Sequence, residues 1–161
     1  MAEGQVALIT GGTRRIGLAI ARRLACEGYA LALTYLRDDA AAATALAELR
    51  QVTPHVTTLR LDVTTAEDAQ RAVREAQRAL DSVDVLVNNV GPFVPSSFMN
   101  TTVEAYEEMV AGNLGSVFHM CRAVIPLMRE LGGGSIVNLG SLNAEVARGA
   151  PNAAIYQALK T

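Results

Sequence analysis

Val6-Ala7-Leu8-Ile9-Thr10-Gly11-Gly12-Thr13-Arg14-Arg15-Ile16-Gly17 is the stretch that decides the fold. An apolar run of strand character passes through paired glycines and a basic pair into an apolar pattern of helical period. Glycines at such a turn let the backbone reverse tightly and approach a pyrophosphate. The helix N-terminus and its free N–H groups favour the negative charge. A tight strand-to-helix turn without a ligand is the alternative for a lone motif, so the surrounding pattern has to decide.

Outward from that turn, runs rich in Val, Leu and Ile alternate with helical patterns, as a parallel sheet covered on both faces requires. Strands are predicted at residues 6–10, 29–35, 56–61, 83–88 and 135–139. Helices are predicted at 16–27, 40–51 and 66–80, with a single long one at 103–131. Thr65 with Asp68 has the spacing of a capping box, Asp38 or Asp39 can cap the second helix, and Gly28 can close the first. Right-handed crossovers then give an α/β, Rossmann-like, doubly wound parallel sheet of order 3-2-1-4-5. Its ligand crevice lies where the order reverses, between strands 1 and 4.

Composition narrows the partners. With 161 residues, half of them apolar, and a net charge of −2, the chain reads as one domain over residues 1–161. No basic face and few aromatics argue against nucleic acid, and no apolar run is long enough to span a bilayer. A small-molecule partner and a cytoplasmic setting are expected. Cys26 and Cys121 form neither a disulfide framework nor a metal-ligand cluster and are expected to be small core residues, with no metal.

The end of the second strand carries Thr34-Tyr35-Leu36-Arg37. NAD sites place a carboxylate there for the adenosine ribose, and that carboxylate would repel a 2′-phosphate. Arg37, with Arg14 on the glycine turn, can instead hold the phosphate, which favours NADP(H). The competing reading has Asp38 or Asp39 on the ribose of NAD, although both look more like helix caps. Asn88 and Asn89 end an apolar strand and need hydrogen-bond partners in backbone or cofactor. Near the C-terminus, Tyr156 and Lys160 stand i,i+4 on a predicted helix, which puts phenol and ammonium on one face. Lys160 is the only lysine in the chain. A cation close to a tyrosine stabilises the phenolate and moves the hydroxyl toward a useful acid/base range.

Thr10-Gly11 with Gly17 resembles the cofactor signature of short-chain dehydrogenases/reductases, and the later motifs follow that family's order along the whole chain. The likeness is to 3-oxoacyl-acyl-carrier-protein reductases. Arg15 stands where the commonest form has a glycine and is similar to the pteridine-reductase-like branch. The resemblance implies a cofactor set of Gly11, Thr13, Arg14, Arg15, Ile16, Gly17, Tyr35, Arg37, Asp62, Val63, Asn89, Val90 and Gly91, joined by Tyr156 and Lys160. For Asp62, a plain turn or capping role stands beside the adenine contact. The implied catalytic set is Ser141, Tyr156, Lys160 and Asn113: Tyr156 as proton donor, Ser141 positioning the carbonyl, Lys160 tuning Tyr156, and Asn113 supporting a water-linked relay. The implied reaction is NADP(H)-dependent reduction of a ketone to an alcohol by hydride transfer.

Val90 replaces the family's usual alanine, and the interval from Ser141 to Tyr156 is longer than the commonest. By the same resemblance the chain reads as truncated after Tyr-x-x-x-Lys, lacking the usual C-terminal strands and helices, and self-association as a homodimer or homotetramer is expected. A non-catalytic NADP(H)-binding module or an inactive fragment of such an enzyme is the alternative, and a Tyr/Lys epimerase or dehydratase is a third reading.

Overall fold

The apolar runs split by alternation, so the first four strands each feed two layers. In the computed structural model, which describes residues 4–142 and 152–160, β1 (Val6–Ile9), β2 (Ala30–Tyr35), β3 (Val56–Arg60), β4 (Val85–Asn88) and β5 (Ser135–Asn138) form one sheet. Its order is β3-β2-β1-β4-β5 and every pairing is parallel. This is the expected Rossmann-like order. The strands begin and end within two residues of the expected bounds. β3 and β5 are the edge strands among the described residues, and Ser135, Val137 and Asn138 of β5 are exposed.

On one face Ala7, Ile9, Leu31, Leu33 and Val56 pack against Ala21 and Ala25 of α1 (Arg15–Cys26) and Leu49 of α2 (Asp39–Leu49). On the other, Leu8, Ala32 and Leu86 meet the small side chains Ala69, Ala72 and Ala76 of α3 (Ala66–Leu80) and Met120, Val124, Leu127 and Met128 of α5 (Ser116–Glu130). Alanines toward the sheet let the helices sit close, and the methionines fill the remaining gaps. Cys26 corrects the expectation of two core cysteines. It follows Ala25 by one residue, about 100° around α1 from that buried side chain and further from Ala21 and Gly17, and is exposed; Cys121 is half-buried.

The helix ends follow side-chain chemistry. Asp38 caps α2 by accepting from Ala41 N at 2.9 Å. Thr65 caps α3 by accepting from Asp68 N at 3.2 Å, but the Asp68 carboxylate does not return to Thr65; it accepts from Asp62 N at 2.8 Å. Gly28, with φ 88°, closes α1.

The single helix expected over 103–131 is instead α4 (Val103–Val110), a π-helical segment (Ala111–Gly115) and α5 in succession. Side chains there grip carbonyls four residues back. Asn113 Nδ2 donates to Met109 O at 2.9 Å and Ser116 Oγ donates to Gly112 O at 2.6 Å. The last helix, α6 (Ala154–Leu159), packs against α4 and the π segment. No helix among the described residues is long and apolar enough to cross a membrane.

Candidate active site

The glycine turn is built around Thr34 of β2 and Thr10, which directly follows β1. Gly11 N donates to Thr34 Oγ1 at 3.2 Å and Gly12 N donates to Thr34 O at 3.1 Å. Gly11 has φ 61°, and a Cβ on Gly17 would collide with the Gly11 carbonyl oxygen, so α1 approaches the turn only because position 17 is glycine. Thr10 Oγ1 accepts from Asn89 N at 2.9 Å and Val90 N at 3.1 Å, and Asn89 Nδ2 returns to Thr10 O at 2.9 Å and Gly11 O at 3.2 Å. These bonds lock the end of β4 to the glycine turn. Asn88 Nδ2 donates to Asn138 Oδ1 of β5 at 2.8 Å. The expected partners of the two asparagines are therefore present in the protein itself.

Arg15, standing where the resemblance expects a glycine, has φ 47° and so takes up a left-handed backbone that side chains other than glycine rarely adopt. The N-terminus of α1 differs from its neighbours. α2, α3 and α4 each carry a capping side chain and an acid in the first turn, whereas α1 has neither and begins with Arg14 and Arg15. Its N–H groups and its dipole are thus left for an external anion.

At the other end of this region, Arg14 Nη1 lies 3.1 Å from Asp38 Oδ2, joining the glycine turn to the β2–α2 turn. Asp39 is held by Arg60 Nη1 at 3.1 Å and by the Tyr35 hydroxyl, which donates at 2.9 Å and whose pKa is raised mainly by that bond. Arg37 has no ion-pair partner among the described residues. Asp62 serves its turn, accepting from Thr64 N at 3.1 Å and Thr64 Oγ1 at 2.7 Å.

Of the four catalytic candidates, Asn113 and Lys160 meet beside Gly91, whereas Ser141 and Tyr156 line neither that point nor the cleft. A Cβ on Gly91 would sit 2.6 Å from Asn113 Oδ1 and 2.7 Å from Lys160 Nζ, so the two groups flank one point and only glycine leaves it open. Asn113 Nδ2 donates to Pro92 O and Met109 O, both at 2.9 Å, while its Oδ1 is buried with no hydrogen-bond partner among the described residues. Lys160 follows α6, its N–H donating to Tyr156 O at 3.1 Å, and its ammonium donates to Leu139 O at 2.9 Å. Burial pushes the Lys160 pKa down. The Tyr156 ring meets Phe93 edge to face at 5.0 Å. Ser141, half-buried, follows β5 by a short turn in which Gly140 packs against the Lys160 backbone.

Gly11, Thr13, Arg14, Arg15, Ile16, Gly17, Tyr35, Arg37, Asp62, Val63, Asn89, Val90 and Gly91 all line one cleft of about 750 Å³ at the carboxyl ends of the strands. Asn113 and Lys160 line a smaller neighbouring cavity of about 230 Å³. Sequence reasoning missed Thr10, whose hydroxyl organises the turn, and Glu108, Ala111, Pro92 and Gly112, which close the far wall of the cleft. Residue type alone gave no signal for the wall, because it is assembled from the β4–α4 connection, α4 and the π segment.

Residues 5–161 match the family described as short chain dehydrogenase. The chain belongs to the short-chain dehydrogenase family. It is similar to a 2,5-dichloro-2,5-cyclohexadiene-1,4-diol dehydrogenase of Sphingobium indicum, 36% identical over 139 residues that cover 86% of this chain and 55% of that one. It is also similar to a 3-oxoacyl-[acyl-carrier-protein] reductase of Staphylococcus epidermidis, 32% identical over 154 residues covering 96% and 62% of the two chains. Among solved structures, an NAD+-bound xylitol dehydrogenase superposes with a TM-score of 0.91 at 31% identity, over 98% of this chain and 60% of that one. This short-chain dehydrogenase chain thus spans little more than half to about three fifths of the length of these relatives.

Proposed function

We propose that the chain is the cofactor-binding and catalytic portion of an NADP(H)-dependent oxidoreductase that reduces a ketone to an alcohol. One observation carries the reading: the uncapped, basic N-terminus of α1 opens on a cleft of about 750 Å³ whose lining includes Arg37. The lining residues would hold the dinucleotide, with the α1 N-terminus at the pyrophosphate, Arg37 and Arg14 at the 2′-phosphate, and Asp62 and Val63 at the adenine. The bound nicotinamide supplies the hydride.

The protein side of the chemistry is proton management. The Tyr156 hydroxyl donates a proton to the carbonyl oxygen as the alkoxide forms, and the Ser141 hydroxyl holds that oxygen in place. The charge of Lys160 favours the tyrosinate left behind, and Asn113 Oδ1, lying with Lys160 Nζ beside Gly91, offers an acceptor for a water that returns the proton. Self-association through α4, the π segment and α5 goes with this reading, since Val103, Tyr106, Leu114, Phe118 and Ile125 are exposed along them. Titration with NADPH and NADH, followed by nicotinamide fluorescence, tests it. NADPH is expected to bind more tightly, and Arg37→Ala to remove that preference; preference for NADH, or indifference to Arg37→Ala, refutes the NADP(H) assignment.

A further inference from the structure

We propose that Asp38 sets how strongly this site discriminates between the two nicotinamide dinucleotides, by holding its carboxylate on one of the two guanidiniums that face the 2′-phosphate. The inference rests on the NADP(H) reading above. Both oxygens of Asp38 are committed: Oδ1 accepts from Ala41 N at 2.9 Å as the cap of α2, and Oδ2 lies 3.1 Å from Arg14 Nη1. A carboxylate so engaged is turned to protein donors rather than to a ribose diol, which separates it from the aspartate of an NAD site.

Asp38, Arg14 and Arg37 line the same cleft, and Asp38 follows Arg37 directly in the chain. The next aspartate, Asp39, is not in that lining, and its charge is taken up by Arg60 and the Tyr35 hydroxyl. Of the two cleft arginines, Arg37 is therefore the uncompensated one. Arg14 is shared with a carboxylate that an arriving phosphate dianion must displace or tolerate.

The pair itself is solvent-exposed, with side-chain exposures of 60% and 41%, so it adds little to stability. Its consequence falls on a charged ligand. NADP(H) meets the Asp38 charge at the site of its extra phosphate, and NAD(H) brings no charge there. The chain accordingly keeps a weaker preference than Arg14 and Arg37 would give if both were free.

The test is Asp38→Asn, which removes the charge and retains an equally good helix cap. Dissociation constants for NADPH and NADH are measured by nicotinamide fluorescence at several salt concentrations. NADPH is expected to tighten about five- to tenfold at low ionic strength, with a steeper salt dependence, while NADH changes by less than about twofold. Unchanged NADPH affinity overturns the proposal. So does a loss of NADH affinity without a gain for NADPH, which would put Asp38 on the ribose. Asp38→Ser, which also keeps a capping oxygen, must repeat the result and guards against an effect of misfolding. Arg37→Ala in the otherwise unaltered chain separates the two levels: if it leaves NADPH binding intact, the NADP(H) reading fails and this inference falls with it, whereas a null result confined to Asp38→Asn removes only the inference.

Discussion

Replacing Arg15 by glycine should stabilise the protein, although it deletes a large side chain from the glycine turn. Arg15 has φ 47°, where a Cβ crowds the adjoining carbonyl at a cost of about 1–2 kcal/mol. Glycine removes that crowding but loses more freedom on folding, about 0.5–1 kcal/mol. The net expectation is a gain of about 0.5–1 kcal/mol, or roughly 1–4 °C in melting temperature for a chain of this size. Arg15→Ala isolates the backbone effect, since it deletes the same side chain and keeps the Cβ.

Urea denaturation of the three proteins, with slopes compared as well as midpoints, measures the difference between the glycine and alanine variants. Asp81, the C-cap of α3 with φ 70°, is the internal standard, because aspartate adopts this region more readily and Asp81→Gly should gain less. Equal stability of the Arg15 variants, or greater stability of Arg15→Ala, would refute the claim that the turn is strained.

Tyr156→Phe should abolish ketone reduction while changing NADPH affinity by less than about threefold, as binding and turnover assays on one preparation will show; retained turnover removes Tyr156 as the proton donor. For Lys160, burial lowers the folded pKa beneath the ordinary 10.5. Between the folded value and 10.5 the unfolded chain holds more protons, so stability should rise with pH across that alkaline window. Lys160→Met should flatten this rise in urea midpoints measured as a function of pH, and an unchanged profile would assign it to other groups.

The sheet was legible because its three inner strands, β2, β1 and β4, are largely buried and rich in Val, Leu, Ile and Ala. Element ends were legible where a cap fixed them, as at Thr65 and Gly28. The dinucleotide cleft could be read because glycine and asparagine motifs sit at fixed places after successive strands. Three features were not legible. The Arg14–Asp38 pair joins residues 24 apart in sequence, and only the turn geometry at the ends of β1 and β2 brings them together. The left-handed backbone of Arg15 is imposed by its surroundings against local preference. The bulge at Ala111–Gly115 is a matter of main-chain hydrogen bonding, which residue type does not report.

That bulge makes the long rod from Val103 to Glu130 two helices of different phase. One additional residue in a helical turn advances everything beyond it by about 100°, so the outward stripe of α4 and the sheet-facing stripe of α5 are set independently of each other. Removing one residue between positions 111 and 115 would bring the rod back into phase. α5 would then have to turn Met120 and Val124 away from the sheet, or α4 would have to swing its face around the axis. The five residues act as an angular adjuster, and the orientation of Asn113 is the setting at which both helices are seated.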